Sequence, residues 1–124
     1  MPVELLLLIL FAMFAIKHWV CDFILQTPQM IAEKGTYGKL YGIQHAVIHG
    51  VGTLAIGLLL SRHIEAVVFV TVLDTLMHYH IDFIKENFVR YKNITKEDSS
   101  WWVILGADQL LHTLTYVLII GILV

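Results

Sequence analysis

Long apolar stretches alternate with short polar ones along this chain. Four stretches, at about 3–26, 40–60, 64–84 and 101–124, each have the roughly 20 mostly apolar residues that an α-helix needs to cross a membrane. Breaks between them contain helix-ending residues, with Thr27-Pro28 after the first stretch and Gly35 and Gly38 before the second. The pattern predicts an all-α polytopic membrane protein. Its single domain, 1–124, would be an antiparallel bundle of four transmembrane helices.

Histidines and aspartates recur four residues apart inside these apolar stretches. Residues at this spacing lie on one face of a helix, one turn apart. An ionisable side chain inside a membrane is costly unless it has a partner or a function. We therefore predict that these side chains line one polar site. Asp74, one turn before His78, is added to four pairs, which are His18-x-x-x-Asp22, His45-x-x-x-His49, His78-x-x-x-Asp82 and Asp108-x-x-x-His112.

The charges of the polar breaks predict how the bundle is oriented. The breaks at 27–39 and 85–100 lie on one side and contain six basic residues, whereas the opposite side has only Arg62. By the positive-inside rule, these two breaks face the cytoplasm and both termini lie outside it. All four pairs then fall at a similar depth, in the cytoplasmic half of the bundle. Lys17, within the first stretch, is expected to snorkel or to pair with a carboxylate.

The residue types of the four pairs favour metal binding. Imidazole nitrogens and carboxylate oxygens are usual zinc ligands and also suit iron and manganese. We predict a divalent metal, zinc first with iron or manganese as alternatives. Asp82 is expected nearer the membrane surface and Asp74 deeper, so both rank below the other candidates. The predicted ligands are His18, Asp22, His45, His49, His78, Asp108 and His112.

The number of candidates leaves the number of ions open. One zinc takes three or four protein ligands, so either two ions bind with bridging carboxylates, or one ion binds and some residues orient its ligands. Two histidines are expected outside the site. His80 lies about 200° around its helix from His78, and His63 falls in a hairpin. Each pair taken alone could instead be an ordinary hydrogen bond between helices.

A metal with an open coordination position would lower the pKa of a bound water and make a nucleophile. No glutamate lies among the polar stripes, so a general base would have to be Asp22, Asp82 or Asp108. These three are the candidate catalytic residues. The leading hypothesis is a metal-dependent hydrolase that acts on a lipid or membrane-proximal substrate from the cytoplasmic side.

The amino-acid composition limits the classes of partner that the chain is expected to bind. The chain is 58% hydrophobic and 15% charged, with a mean hydropathy of +0.77, whereas soluble domains have about 25% charged residues. The surplus apolar surface must face the lipid bilayer or another copy in a homo-oligomer. The net charge of −2 and the lack of a basic run give no basis for nucleic-acid binding. The single cysteine, Cys21, excludes an internal disulfide and is interpreted as a packing residue.

The motifs resemble those of a family of small bacterial and phage membrane proteins described as a domain of unknown function. The resemblance covers essentially the whole chain and implies a protein of the bacterial inner membrane, without implying an activity. The polar stripes are more distantly similar to those of the YdjM-type membrane-bound metal-dependent hydrolases. The motifs that carry the resemblance are His18-x-x-x-Asp22-Phe23-x-x-Gln26, His45-x-x-x-His49, His78-x-x-x-Asp82 and Asp108-Gln109-x-x-His112.

Two other classes of function stay open beside the hydrolase. Histidines and aspartates at membrane depth also serve ion or proton transport. Against transport, the outer halves of the predicted helices are nearly pure Leu, Ile and Val, so no polar path continues across the membrane. The third class is a non-enzymatic phage or bacterial membrane effector, in which a metal only stabilises a small fold.

Overall fold

A computed structural model describes residues 1–61 and 63–124 of the chain; Arg62, counted above among the loop charges, lies outside the described residues. These residues form helices and, over the described ranges, no strand. The helices are α1 at Val3–Trp19, which continues as a π-helical turn at Val20–Ile24, α2 at Pro28–Glu33, α3 at Leu40–Leu60, α4 at Ile64–Tyr91 and α5 at Ser99–Leu123. Four of them are long and apolar enough to cross a membrane, which confirms the predicted fold class.

The break predicted at 27–39 contains the short helix α2. The π-helical turn ends at Ile24. Thr27, three residues later, caps α2, because its hydroxyl accepts a hydrogen bond from the Met30 backbone N–H at 3.3 Å. Pro28 occupies the first helical position, where its missing N–H costs nothing. The Thr-Pro step therefore starts α2.

Helix α4 extends to Tyr91, about two turns beyond the predicted end at residue 84. The added residues include Lys85, Glu86 and Arg90, which are polar but have high helix propensity. Asn87 and Arg90 hold this extension against the loop after α2, since both side chains donate to the carbonyl of Gly35. Polarity alone therefore does not end the helix.

The four long helices form a closed ring. Helix α3 packs between α1 and α4, and α5 packs between α4 and α1. Close approach of α3 to α4 depends on small residues, because a side chain at Gly57 would run into Val67. Small residues of α3 therefore form a packing seam against α4.

The two halves of the bundle differ in polarity. The half near the α3–α4 hairpin has an apolar core that includes Leu10, Phe14 and Ile119. The half near α2 buries histidines and aspartates instead. On the outer surface of both halves, large apolar side chains such as Leu8 and Ile16 are exposed. A polar interior with an apolar exterior is the arrangement expected where lipid, rather than water, surrounds the helices.

Candidate metal centre

Asp22 enters the bundle from an irregular turn. The Leu25 backbone N–H donates to the Val20 carbonyl, five residues back, at 2.9 Å, which makes this a π-helical turn. Such turns occur frequently at functional sites. The Oδ1 atom of Asp22 lies 2.8 Å from His49 Nε2 and 3.2 Å from His45 Nε2. The irregular turn thus contains the carboxylate that contacts both α3 histidines.

Four side chains from three helices form the first group of potential ligands. Asp22, His45, His49 and His78 place one donor atom each within 4.8 Å of all the others. His45 Nε2 and His78 Nε2 are 3.1 Å apart, and His78 Nε2 is 3.7 Å from Asp22 Oδ1. Ligands bound tetrahedrally at 2.0–2.1 Å are about 3.3 Å from one another, so these spacings suit a metal ion.

A second group shares one histidine with the first. His78, Asp82 and His112 also place one donor atom each within 4.8 Å of one another. Asp82 Oδ1 lies 3.2 Å from His112 Nε2, and Asp108 Oδ1 lies 3.5 Å from the same nitrogen. Asp108 and His112 are one turn apart on α5. This helix therefore gives the second group one member, His112, and places a second predicted ligand, Asp108, beside it.

Asp82 belongs to the second group and also contacts histidines of the first. The sequence ranks it below the other candidates, because its predicted depth in the membrane is small. Its Oδ2 atom is 3.4 Å from Nε2 of both His45 and His78, and the residue is only 3% exposed. Depth counted from a helix end at residue 84 places Asp82 near the surface. Because α4 continues to Tyr91, Asp82 lies inside the bundle instead.

His18 is at the edge of the centre and belongs to neither ligand group. Its Nδ1 is 2.8 Å from the Tyr116 hydroxyl, and its Nε2 is 2.9 Å from Gln109 Oε1. The same Nε2 lies 3.1 Å from Asp22 Oδ2, so His18 contacts the oxygen of Asp22 that faces away from α3. This arrangement suits a residue that orients a ligand.

Two carboxylate oxygens of the centre lack hydrogen bonds. Asp82 Oδ2 and Asp108 Oδ1 are buried and accept no hydrogen bond from any residue in the described ranges, although the Lys34 ammonium forms an ion pair with Asp82 Oδ2 at 3.3 Å. Buried polar atoms are almost always paired, because an unpaired one costs its full desolvation. A cation bound beside either oxygen would satisfy that oxygen. The Nδ1 atoms of His45, His49 and His78 also lack partners among the described residues.

Lys34 covers the centre on the α2 side, a role that the sequence does not reveal. Its Nζ lies 3.3 Å from Asp82 Oδ2 and 3.0 Å from Gln26 Oε1, and the residue is 8% exposed. Burial works to lower the pKa of Lys34, but the carboxylates of Asp82, Asp22 and Glu86 outweigh it and raise the pKa above its usual value. Lys34 is therefore a stable positive charge beside the ligand groups.

Asp74 lies apart from both ligand groups, in a polar layer farther from α2. Its Oδ2 is 2.5 Å from Lys17 Nζ and 2.5 Å from Thr53 Oγ1, which donates to it. Lys17 also donates to Thr53 at 3.1 Å and lies 4.5 Å from the centre of the Tyr116 ring. The expectation that Lys17 pairs with a carboxylate is confirmed, and Asp74 is occupied by that pair.

The two histidines expected outside the site lie outside it. His80 Nδ1 donates to the Leu76 carbonyl at 2.7 Å and its Nε2 is 3.2 Å from the Tyr37 hydroxyl. His63 is exposed at the start of α4. Cys21 is buried and free, as expected of a packing residue.

Comparison with known proteins returns one family. Residues 9–124 match the family model described as "Protein of unknown function (DUF3307)". No curated protein and no solved structure matches the chain. The match spans all four His/Asp pairs and agrees with the resemblance to a domain of unknown function. The more distant similarity to the YdjM-type hydrolases stays a prediction.

Proposed function

We propose that this chain, which belongs to the DUF3307 family of proteins of unknown function, is a multi-pass membrane protein that binds a divalent metal between its four long helices. One observation carries the proposal. Nε2 atoms of four buried histidines and oxygens of buried Asp82 and half-buried Asp22 form a continuous cluster in which neighbouring atoms are 2.8–3.7 Å apart. These are the donor types and spacings of a metal centre.

A metal explains the cluster better than hydrogen bonds alone. A neutral imidazole has one N–H donor and one acceptor nitrogen. The Nε2 atoms of His45 and His78 face each other at 3.1 Å and both also face Asp82 Oδ2. One proton between two nitrogens cannot serve all of these contacts, whereas a cation at their common centre attracts every lone pair.

The distribution of apolar side chains supports placement in a membrane. Exposed residues such as Leu8, Phe11 and Val103 cover the outside of helices that are long enough to span it. We place the protein in the bacterial inner membrane, with α2 and the segment 92–98 in the cytoplasm and both termini outside. This orientation follows from the excess of basic residues on the α2 side.

The proposed activity is hydrolysis of a lipid or membrane-proximal substrate. Zinc, iron or manganese with an open position would supply an activated water, and Asp22, Asp82 or Asp108 would accept its proton. A lateral groove of about 750 Å³ between α1 and α3 supports an apolar substrate. Its lining includes Ile16, Val20 and Val51, and it reaches Cys21, the neighbour of Asp22.

A structural metal is the second candidate function, and the enclosure of the centre favours it. His45, His49, His78 and His112 are each no more than 2% exposed, and Lys34 covers the α2 side. A site with every position taken by protein would stabilise a non-enzymatic effector. Ion transport has less support, because the apolar core of Leu10, Phe14 and Ile119 follows the Lys17–Asp74 layer.

Metal analysis of the detergent-purified protein tests the proposal. We expect stoichiometric zinc, iron or manganese in the native protein, and less metal per chain in His49→Ala. His80→Ala is the matched control, because His80 is on α4 but outside both ligand groups, and it should retain the metal. Absence of stoichiometric metal from the native protein, before and after incubation with each ion, would contradict the proposal.

Activity is tested separately on the metal-loaded protein. We expect it to hydrolyse esters or phosphoesters of lipids presented in mixed micelles, and Asp22→Asn to abolish turnover. Full metal occupancy without turnover on a broad lipid panel, together with a metal spectrum that shows no exchangeable water, would favour the structural role.

A further inference from the structure

The two oxygens of Asp82 face different imidazoles. Oδ2 lies 3.4 Å from Nε2 of His45 and of His78, whereas Oδ1 lies 3.2 Å from Nε2 of His112. A carboxylate that serves one ion directs one oxygen, or both, to the same point. A carboxylate that bridges two ions offers one oxygen to each. The contacts of Asp82 have the second form.

Each side of Asp82 has its own set of further donors. On the Oδ2 side, Asp22 Oδ1 lies 2.8–3.7 Å from the histidines of the first group. On the Oδ1 side, His112 Nε2 is 3.5 Å from Asp108 Oδ1. With Asp82, the second side offers three protein donors, which is the number found in catalytic zinc sites with an open position.

The number of buried donors exceeds the needs of one ion. One four-coordinate ion would leave at least three donor residues without metal in an interior that excludes water, where unpaired polar groups are costly. His78 connects the two sides, because its ring stacks on the rings of His49 and His112. The ring centroids are 3.5 Å and 4.2 Å apart, respectively. The donors are Asp22, His45, His49, His78, Asp82, Asp108 and His112.

Two buried carboxylate oxygens without hydrogen bonds give further support. Asp82 Oδ2 faces the first side, where the Lys34 ammonium 3.3 Å away is an ion-pair partner, and Asp108 Oδ1 faces the second side; neither accepts a hydrogen bond from the described residues. Both residues are more than nine-tenths buried. A single ion on the first side would satisfy Asp82 Oδ2 and leave Asp108 Oδ1 unpaired. One ion on each side satisfies both.

We propose that the centre holds two divalent ions and that the Asp82 carboxylate bridges them. The first ion is bound by Asp22 and the histidines of α3, and the second by His112 and Asp108. His78 completes the first set through its 3.1 Å contact with His45. This inference rests on the proposed metal-binding function and adds the number of ions and their division among the ligands.

Charge gives the two-ion centre a preference for anions. Asp22, Asp82 and Asp108 carry three negative charges, which two divalent ions exceed by one. Lys34, beside Asp82, adds one more positive charge. A negatively charged substrate group, such as a phosphoryl or carboxyl group, would then bind on this side of the centre.

The protein loaded with Mn²⁺ tests the inference without any variant. We expect two Mn²⁺ per chain at saturation and an exchange-coupled electron paramagnetic resonance spectrum, because a carboxylate bridge couples two nearby ions. One ion per chain at saturation would overturn the two-ion inference and leave the metal-binding proposal intact. Two ions with uncoupled spectra would overturn the bridge. Failure to bind Mn²⁺, Fe²⁺ and Zn²⁺ alike would overturn both proposals.

Variants then test the division of ligands. His112→Ala should retain one Mn²⁺ per chain and lose the coupling, because the first side keeps Asp22 and its histidines. Asp82→Asn should also lose the coupling, since an amide bridges two ions poorly. His80→Ala is the control and should retain two coupled ions. Helical content by circular dichroism identifies any variant that fails to fold, and coupling retained in a folded Asp82→Asn protein would contradict the bridge.

Discussion

Lys17 and Asp74 form an ion pair inside the bundle, with Nζ 2.5 Å from Oδ2 and exposures of 7% and 1%. The side chain of Lys17 crosses α3 at Gly52, where a Cβ atom would lie 2.8 Å from Lys17 Cγ. Thr53 is hydrogen-bonded to both charged groups. This pair links α1, α3 and α4 at a level between the metal centre and the apolar core.

Breaking this pair should destabilise the protein strongly. Lys17→Met leaves the Asp74 carboxylate buried without a counter-charge, and removal of one partner of a buried pair costs about 3–5 kcal/mol. The double variant Lys17→Met, Asp74→Asn should recover part of that loss. Denaturation in detergent of Lys17→Met, Asp74→Asn and the double variant gives the coupling free energy between the two charges. Additive losses would show that the two charges do not stabilise each other.

Removal of metal should lower the thermal stability of the native protein. A ligand that binds only the folded state stabilises that state by about 2.7 kcal/mol when its free concentration is about 100 times its dissociation constant. We expect a chelator to lower Tm and added metal to restore it. His49→Ala should have a lower Tm that responds less to the chelator. A Tm that is the same with and without metal would argue against a metal that links the helices.

Removal of the charge on Lys34 should strengthen metal binding. Its Nζ lies 3.3 Å from Asp82 Oδ2, so the ammonium group competes with the metal for that oxygen and repels the cation. We expect Lys34→Gln to bind metal about tenfold more tightly, a difference of about 1.4 kcal/mol. Competition with a chromophoric chelator measures this. Lys39→Gln, at an exposed position before α3, is the control. Weaker binding in Lys34→Gln would mean that Lys34 organises the ligands.

Metal affinity should fall steeply as the pH decreases through the range in which imidazoles gain protons. A histidine must be neutral to ligate, so protons compete with the metal at every imidazole ligand. Because His45, His49, His78 and His112 all contribute, we expect the logarithm of the affinity to change by more than one unit per pH unit below about pH 6. Chelator competition between pH 5 and 8 measures the slope. A slope near zero would exclude a centre built from histidines.

Cysteine labelling tests the proposed orientation. Cys21 is buried, so a membrane-impermeant maleimide should leave the native protein unlabelled. We expect Lys92→Cys to react only after cells are permeabilised, and His63→Cys to react in intact cells, because the positive-inside rule places the two residues on opposite sides. The reverse pattern would show that the termini lie in the cytoplasm.

The sequence predicts the fold class and most of the centre, for physical reasons. Apolar runs of membrane length identify the four long helices, and a spacing of four identifies the side chains that share a face. Asp82 is expected nearer the surface than the structure places it, because polar residues after position 84 resemble a loop, whereas the structure continues the helix through them. Lys34 is missed because its contact with Asp82 depends on how α2 folds back, and no local pattern encodes that.

The order of the ligands along the chain has a consequence for biogenesis. The first acidic metal ligand, Asp22, comes from the first of the four long helices to be synthesised, whereas Asp108 and His112 come from the fourth. A nascent chain that has not yet inserted α5 presents the histidines of α3 and α4 with one side of the centre missing. The second ion would therefore be captured only after the fourth helix has inserted, so occupancy by both ions would mark a bundle with all four long helices in place.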